Sequence, residues 1–470
     1  MKRSKRLYAM LGLLLVICVA TALVMRSEDK KEQIKTSGEI VLEVPSDDVQ
    51  SLSWEYGDTS LSFHKDGTWL YDGDENFPVS EDKINELLGQ FEAFGAAFTI
   101  EDVSDPGVYG LKDPVCTIRF ETAEESYEIQ LGDFSKMDEE RYVSIGDGNV
   151  YLAKVDPLDA FDVELKDMIQ NDEALSYDQV SQIRFQGSED YTVSYEKTSD
   201  SAWYGDDVYF TEKSGRTLPL DTSRVNSYLS DLRYLDLDNY VTYNVTDEEL
   251  ASYGLDDPEL TVTVDYTEKD DKGKETTGTY VLSVSRDAEK LAAAQEAEAK
   301  DEEAEEVTGY ARVGDSQIVY ELSGDDCEDL LAFTWNDLRH REVLPADFDQ
   351  VTQLDISLEG EDYTITADGK GDDRTWTYQD QEIEIDDLQD ALESLSAGDA
   401  EDFLTEKATG KEEISLTVHL DDEARPEAVI RLCRYDGSHC LAVVDGTTFA
   451  LVSRSDAVKL IEAVNAIVLN

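Results

Sequence analysis

The chain has 470 residues, with 107 acidic side chains against 40 basic ones and a formal charge of −67. That length exceeds one ordinary hydrophobic core and calls for two to four domains. A polyanion of this kind is repelled by nucleic acid and by anionic lipid surfaces, which excludes both as expected ligands.

The chain opens with four cations, Lys2, Arg3, Lys5 and Arg6, followed by the apolar run Leu7–Met25. Such a run is long enough to cross a hydrocarbon core as a helix. The positive-inside rule then places the N-terminus in the cytoplasm and the bulk of the chain outside it. Ala20-Thr21-Ala22 also fits a signal-peptidase site, which would release the chain, but apolar residues continue past it to Met25. Residues 1–44 are therefore expected to be a cytoplasmic stub, a transmembrane anchor and a linker, with the bilayer as one partner.

Beyond the linker the sequence repeats three times. First strands begin VQSLSW (Val49–Trp54), VSQIRF (Val180–Phe185) and VTQLDI (Val351–Ile356). Partner strands contain LSF (Leu61–Phe63), YTV (Tyr191–Val193) and YTI (Tyr363–Ile365), and Trp69, Trp203 and Trp376 follow them. Alternation with a polar turn predicts a hairpin with one buried face, and each tryptophan is expected to cap that face. A helix follows each hairpin, with stripes Ile84-Leu87-Leu88-Phe91, Val225-Tyr228-Leu229-Leu232 and Leu388-Ala391-Leu392-Leu395. Ser80, Asp221 and Asp386 are the expected N-caps, and Asp386 with Gln389 fits a capping box.

Next comes a phrase shared by two copies: Tyr109-Gly110-Leu111-Lys112-Asp113-Pro114 and Tyr253-Gly254-Leu255-Asp256-Asp257-Pro258. Glycine permits a left-handed turn, and Asp-Pro forces an extended departure. Tyrosine and leucine can pin the turn to a core. The phrase reads as a helix-to-strand connector, with a ligand-binding turn as the rarer alternative. The third copy replaces it with Phe403-Leu404 and a polar stretch.

Each copy closes with more strands and a helix, near Pro157–Met168, Asp325–Phe333 and Asp456–Val464. The expected fold class is α+β: an N-terminal transmembrane helix, then three tandem repeats of roughly strand-strand-helix-strands-helix. The boundaries are 45–172, 173–345 and 346–470, with a charged insertion at 288–306 whose alanine, glutamate and lysine favour an excursion without an apolar face. In the third copy an Asp436-Gly437 turn, counted outward, sets Cys433 opposite Cys440 within disulfide reach. Cys116 and Cys327 read as isolated buried thiols.

Chemistry-bearing motifs are sparse. The four histidines, His64, His340, His419 and His439, lack zinc-like spacing, and no phosphate-binding loop or nucleophile elbow appears. The acidic turns Asp72-Gly73-Asp74 and Asp372-Asp373 do not extend into a calcium loop. No catalytic residue, metal or cofactor is therefore assigned. Arg339-His340-Arg341 is a basic cluster at the exit of the second copy, read as a contact to a partner or a neighbouring domain.

The anchor, the V-x-x-[LI] hairpin, the tryptophan, the amphipathic helix, YGLxDP and the LRHREVL exit (Leu338–Leu344) together resemble a bacterial family known as the domain of unknown function numbered 4340. The resemblance covers nearly everything after the anchor. It implies an extracytoplasmic accessory subunit of an envelope transport complex, because such proteins are often encoded beside ABC-type permeases and gliding-motility-like proteins. The expectation is a single-pass, cell-membrane binding or scaffold protein, not an enzyme, with a permease complex as partner. The alternatives are an envelope glycan-binding protein, expected to line a groove with aromatics, and a cell-wall-acting hydrolase.

Overall fold

The computed structural model describes residues 39–469, apart from 102, 214, 271, 370–373, 399–409 and 424. The described chain is built from three antiparallel sheets of nine, nine and eight strands. This corrects the expected α+β class: strands dominate, and the helices are short covers over them. Among the described residues no helix is long and apolar enough to cross a membrane. The anchor expected at Leu7–Met25 lies outside the described residues, as does Phe403-Leu404.

The chain divides into two compact units, with the boundary between Asn171 and Asp172. The first unit carries one sheet; the second carries the other two. Each sheet has the same centre. In the first, Val49–Tyr56 pairs on one side with Thr59–Asp66 and on the other with Cys116–Thr122. The meander then continues through Ser126–Ser135, Glu140–Ser144 and Val150–Ala153. The matching central strands are Gln179–Gly187 and Val351–Leu358. Register is conserved in geometry: Leu52 faces Phe63, Ile183 faces Val193 and Leu354 faces Ile365.

One shared feature breaks simple alternation. Every central strand has an irregularity against its long neighbour, at Val49/Ser51, Val180/Gln182 and Val351/Gln353. A bulge inserts one residue and re-aims the side chains beyond it. Residues at the first and fourth positions, such as Val49 and Leu52, would otherwise point to opposite faces. The bulge turns both inward, and all six are essentially fully buried. This is the physical content of the V-x-x-[LI] spacing.

The helices Glu81–Gly89, Thr222–Arg233 and Asp386–Glu393 each bury the expected stripe. Ser80 caps the first through Lys83 N, and Asp221 caps the second through Ser223 N and Arg224 N. Asp386 is instead the first helical residue, behind Ile385, and caps nothing with its side chain. The closing helix expected at Pro157–Met168 is split into Leu158–Phe161 and a 3-10 turn, Leu165–Met168. The insertion forms a helix, Ala288–Ala299, that buries no residue, in keeping with its lack of an apolar face.

Several strands are too short to reveal themselves by alternation. Trp69 and Trp376 each lie on a third strand, Thr68–Tyr71 and Thr375–Tyr378. Trp203 does not. It sits in a loop, and the register its counterparts occupy, two residues before the partner of Phe63, Ile365 or Val193, is filled by Tyr209 on Tyr209–Lys213. Trp203 packs instead against the core of the third sheet.

Candidate functional site

The displaced Trp203 marks a cleft of about 370 Å³ within the second unit, between the second and third sheets. The loop carrying it is tied down by one carboxylate. Asp207, 3% exposed, accepts from the amides of Trp203 (2.7 Å) and Tyr204 (2.9 Å) and lies 2.8 Å from His340 Nε2. A buried carboxylate without such donors would be costly. The imidazole of His340 stacks on Trp203 at 5.8 Å and lies against Tyr204 at 4.8 Å. Tyr204 Oη donates to Leu344 O (2.7 Å), and burial pushes that hydroxyl's pKa up.

Opposite this loop, Trp335 opens a short helix whose N-cap is Thr334. Its amide donates to Glu189 Oε2 (2.8 Å), while Glu189 Oε1 holds Lys213 Nζ at 2.8 Å. Lys213 therefore lies over the Trp335 ring, 4.6 Å from its centroid. The Arg339 guanidinium lies 4.7 Å from the Trp335 ring and 4.7 Å from the Phe449 ring. It also donates to Asn336 Oδ1 (2.8 Å) and Phe449 O (3.2 Å). Desolvated cation–aromatic contacts of this kind are worth about 2 kcal/mol each. Arg425 lies over Trp203 at 5.4 Å and is paired with Asp445 at 2.6 Å.

Two groups in the lining are not consumed by this framework. Arg216, on the edge strand Arg216–Pro219, is exposed and donates to Thr447 Oγ1 (2.6 Å); among the described residues it forms no ion pair. The indole N–H of Trp335 is buried and has no acceptor among the described residues, a deficit of about 1–3 kcal/mol if nothing fills it.

The basic cluster read from the sequence is thus part of the cleft. Arg339 and His340 are buried at 4% and 7% exposure, so they face the neighbouring sheet and leave little surface for another chain. Arg341 contributes its carbonyl, which accepts from Ala397 N (2.6 Å). Sequence reasoning does not bring Trp203, Asp207, Lys213, Arg216, Trp335 and Phe449 together as a group. Their signal is local: SAWYGDD (Ser201–Asp207) sets two adjacent aromatics before two aspartates, and FTWNDLRHR (Phe333–Arg341) concentrates aromatic and basic residues in an acidic chain.

The YGLxDP phrases lie elsewhere and are built alike. Each ends a 3-10 turn, with Gly110 at φ +73° and Gly254 at φ +69°. Leu111 and Leu255 are buried, Tyr109 packs on Tyr142 and Tyr253 on Tyr310, and Asp113 and Asp257 are exposed. Pro114 and Pro258, half-buried, lead into the strands that begin at Cys116 and Leu260. These contacts fit a connector.

The cysteine pairing is corrected. Cys433 and Cys440 are free and buried. Cys433 faces Leu441, and Cys440 faces Arg434, one residue off the register counted from Asp436-Gly437. A one-residue slip sends the two thiols to opposite faces of the sheet. The slip arises because Asp436 accepts from Ser438 N (2.6 Å) and His439 N (2.7 Å), widening the turn. A tight Asp-Gly turn forms in the next hairpin, at Asp445-Gly446 between His439–Val444 and Thr447–Ser453, where both residues have positive φ. Cys116 and Cys327 are also buried and free, and burial pushes each thiol up to about 12.

Among the described residues no group of three His, Cys, Asp or Glu could hold a metal. Asp72 is engaged by Ser62 and by His64 Nδ1 (2.5 Å), and Asp74 by Asn76; Asp372-Asp373 lies outside the described residues.

Strands in three repeats, with a braced cleft between two of them, define a tandem-repeat β protein with a cleft at a module junction. The chain belongs to the family described as "Domain of unknown function (DUF4340)", matched over residues 69–241 and again over 211–417. Both matches begin on the third strand of a repeat, at Trp69 on Thr68–Tyr71 and at Thr211 on Tyr209–Lys213. No curated protein and no solved structure matches the chain.

Proposed function

We propose that the chain is a binding or scaffold protein of the bacterial cell envelope, acting outside the cytoplasm without chemistry of its own, as an accessory subunit of an ABC-type, gliding-motility-like transport complex. The observation that carries the binding reading is the braced cleft. Its cations are fixed in place before any ligand arrives, through Glu189, the Trp335 and Phe449 rings and Thr447. Preorganisation of this kind lowers the cost of binding. The carboxylate in its lining, Asp445, is committed to Arg425 and to Val429 N, which supports binding over hydrolysis at this place. The glycan reading called for aromatic faces open to a sugar. Here the rings of Trp335 and Trp203 are already met by Lys213, Arg339, His340 and Arg425, so the aromatics brace cations. The transport partner is inferred from the family resemblance.

The test is cross-linking of the native chain in intact membranes. Capture of a permease or its ATPase is the expected result; capture of wall polymer alone would overturn the partner assignment.

A further inference from the structure

We propose that the cleft between the second and third sheets is a site for a small amphiphilic anion: a carboxylate or phosphate head joined to an apolar body. The inference rests on the reading of the chain as a binding protein and adds the ligand class.

Charge is the first argument. The chain has 40 basic residues against 107 acidic ones, yet the cleft lining carries Lys213, Arg216 and Arg339 against one carboxylate, Asp445. That carboxylate is neutralised by Arg425, which holds it at 2.6 Å, just as Glu189 neutralises Lys213 at 2.8 Å. The positive charge the lining offers a ligand therefore rests on Arg216, which forms no ion pair among the described residues and has the reverse of the global sign. A long-range field that repels anions and a short-range site that accepts them select for a small ligand, because screening removes the distant repulsion within about 8–10 Å at physiological salt.

The second argument is the donor inventory. Arg216 is exposed beside the cleft and donates to Thr447 Oγ1 through one of its nitrogens, Nη1. The indole N–H of Trp335 lacks an acceptor among the described residues but is shielded even with the cleft empty, so it is not counted as a ligand contact. A guanidinium only donates, so Arg216 is satisfied by an anionic oxygen and by no cation. Guanidinium presents a planar fork suited to carboxylate and phosphate alike.

The third argument is the rest of the wall. Leu218, Pro219, Val444 and Phe449 line the same space, giving the apolar body a dry surface. The volume, about 370 Å³, falls in the range of small-molecule sites, roughly 300–1,000 Å³.

The experiment is calorimetric titration of the purified full chain with four probes: octanoate, octyl phosphate, octanol and acetate. Octanoate and octyl phosphate should bind, with octanol and acetate each at least 10-fold weaker. In Arg216→Ala, an exposed change that spares the core, octanoate should bind at least 5-fold more weakly while octanol is unchanged. Raising salt should weaken octanoate and leave octanol alone. Equal binding of octanol would show that the charge is not read and would overturn the proposal. So would equal binding of acetate, an Arg216→Ala variant as tight as the parent, or no binding at all. Preference between octanoate and octyl phosphate identifies the head group, and either preference supports the site. If these probes fail while cross-linking still captures a permease, the ligand assignment falls and the accessory-subunit reading stands. If they succeed without a permease, the reverse holds.

Discussion

Trp69 and Trp376 occupy the same register of the same strand in the first and third repeats, both nearly fully buried. Trp203 stands at a similar place in the sequence of the second repeat but has left that register to Tyr209, which is buried at 5%. Tyr209 fills the vacated core position, and Trp203 is freed to brace a module junction against His340 and Phe449. Repetition at the level of the fold therefore tolerates exchange of one aromatic for another. The departure from the repeat is where the cleft is built.

That comparison is broken most directly by truncating the tryptophans in turn. Trp376→Ala should cost about 3–5 kcal/mol, as expected for a buried large aromatic. Trp203→Ala, at a half-buried site, should cost less than half of that. Urea unfolding of the two variants checks the ratio; equal losses would show that Trp203 belongs to a repeat core after all.

The junction itself is sharpened by Asp207→Ala. It leaves the amides of Trp203 and Tyr204 and the His340 ring nitrogen without their common acceptor. Three stranded groups, the two amides part-buried and the ring nitrogen buried, at about 1 kcal/mol or more each predict a loss of roughly 3 kcal/mol. Faster hydrogen exchange at the Trp203 and Tyr204 amides should accompany it, with the first unit unchanged.

The connectors offer a smaller contrast between the first and second repeats. Both Gly110 and Gly254 have left-handed backbones, so an alanine costs about 1–2 kcal/mol at either. At Gly110 the added Cβ would also lie 2.7 Å from the backbone N of Asp133; at Gly254 its nearest neighbour is Ser285 Cβ at 3.1 Å. Gly110→Ala should therefore be the more damaging by about 1 kcal/mol or more, because a backbone atom must move. Thermal denaturation of the pair decides this, and equal shifts would mean the two connectors dock alike.

Much of the architecture is legible in the chain. The central hairpins, the helical stripes and two of the three caps come from side-chain periodicity, which responds to one buried face. The failures have identifiable reasons. TWLY, TWTY and RTLP are four-residue strands, too short for a period-two signal, so periodicity underestimates the sheet content and misjudges the class. The cysteine register turns on whether Asp436-Gly437 makes a tight two-residue turn, and the side-chain acceptor of Asp436 decides that it does not. The cleft is visible only in fragments, because Trp203, Arg216, Arg339 and Phe449 are spread over nearly 250 residues and meet through tertiary packing. The single fragment that stands out, Arg339-His340-Arg341, does so because cations are scarce here.

The smallest predicted effect concerns the residue immediately after each connector. After Pro114 the first repeat has Val115; after Pro258 the second has Glu259, whose carboxylate meets the Arg286 side chain and accepts from Arg286 N (2.9 Å). Desolvation pushes the Glu259 pKa up, but the Arg286 side chain, its amide and its charge together outweigh that and hold it below the ordinary glutamate value. A carboxyl depressed in the folded state contributes stability that is present above its unfolded pKa and fades as pH falls through the folded value. Glu259→Gln should thus lower stability at pH 7 by a fraction of a kcal/mol, up to about 1, since the pair is partly exposed. The gap between parent and variant should stay constant down to about pH 5 and close below the ordinary carboxylate range. Val115→Gln in the first repeat, where no such pair exists to lose, should show no gap that closes with acid. Urea midpoints of both variants, from neutral pH down to about pH 3, below the ordinary carboxylate range, test the pair of expectations. A Glu259→Gln deficit that persists at the acid end would assign the effect to packing at the connector and remove the ion pair as its cause.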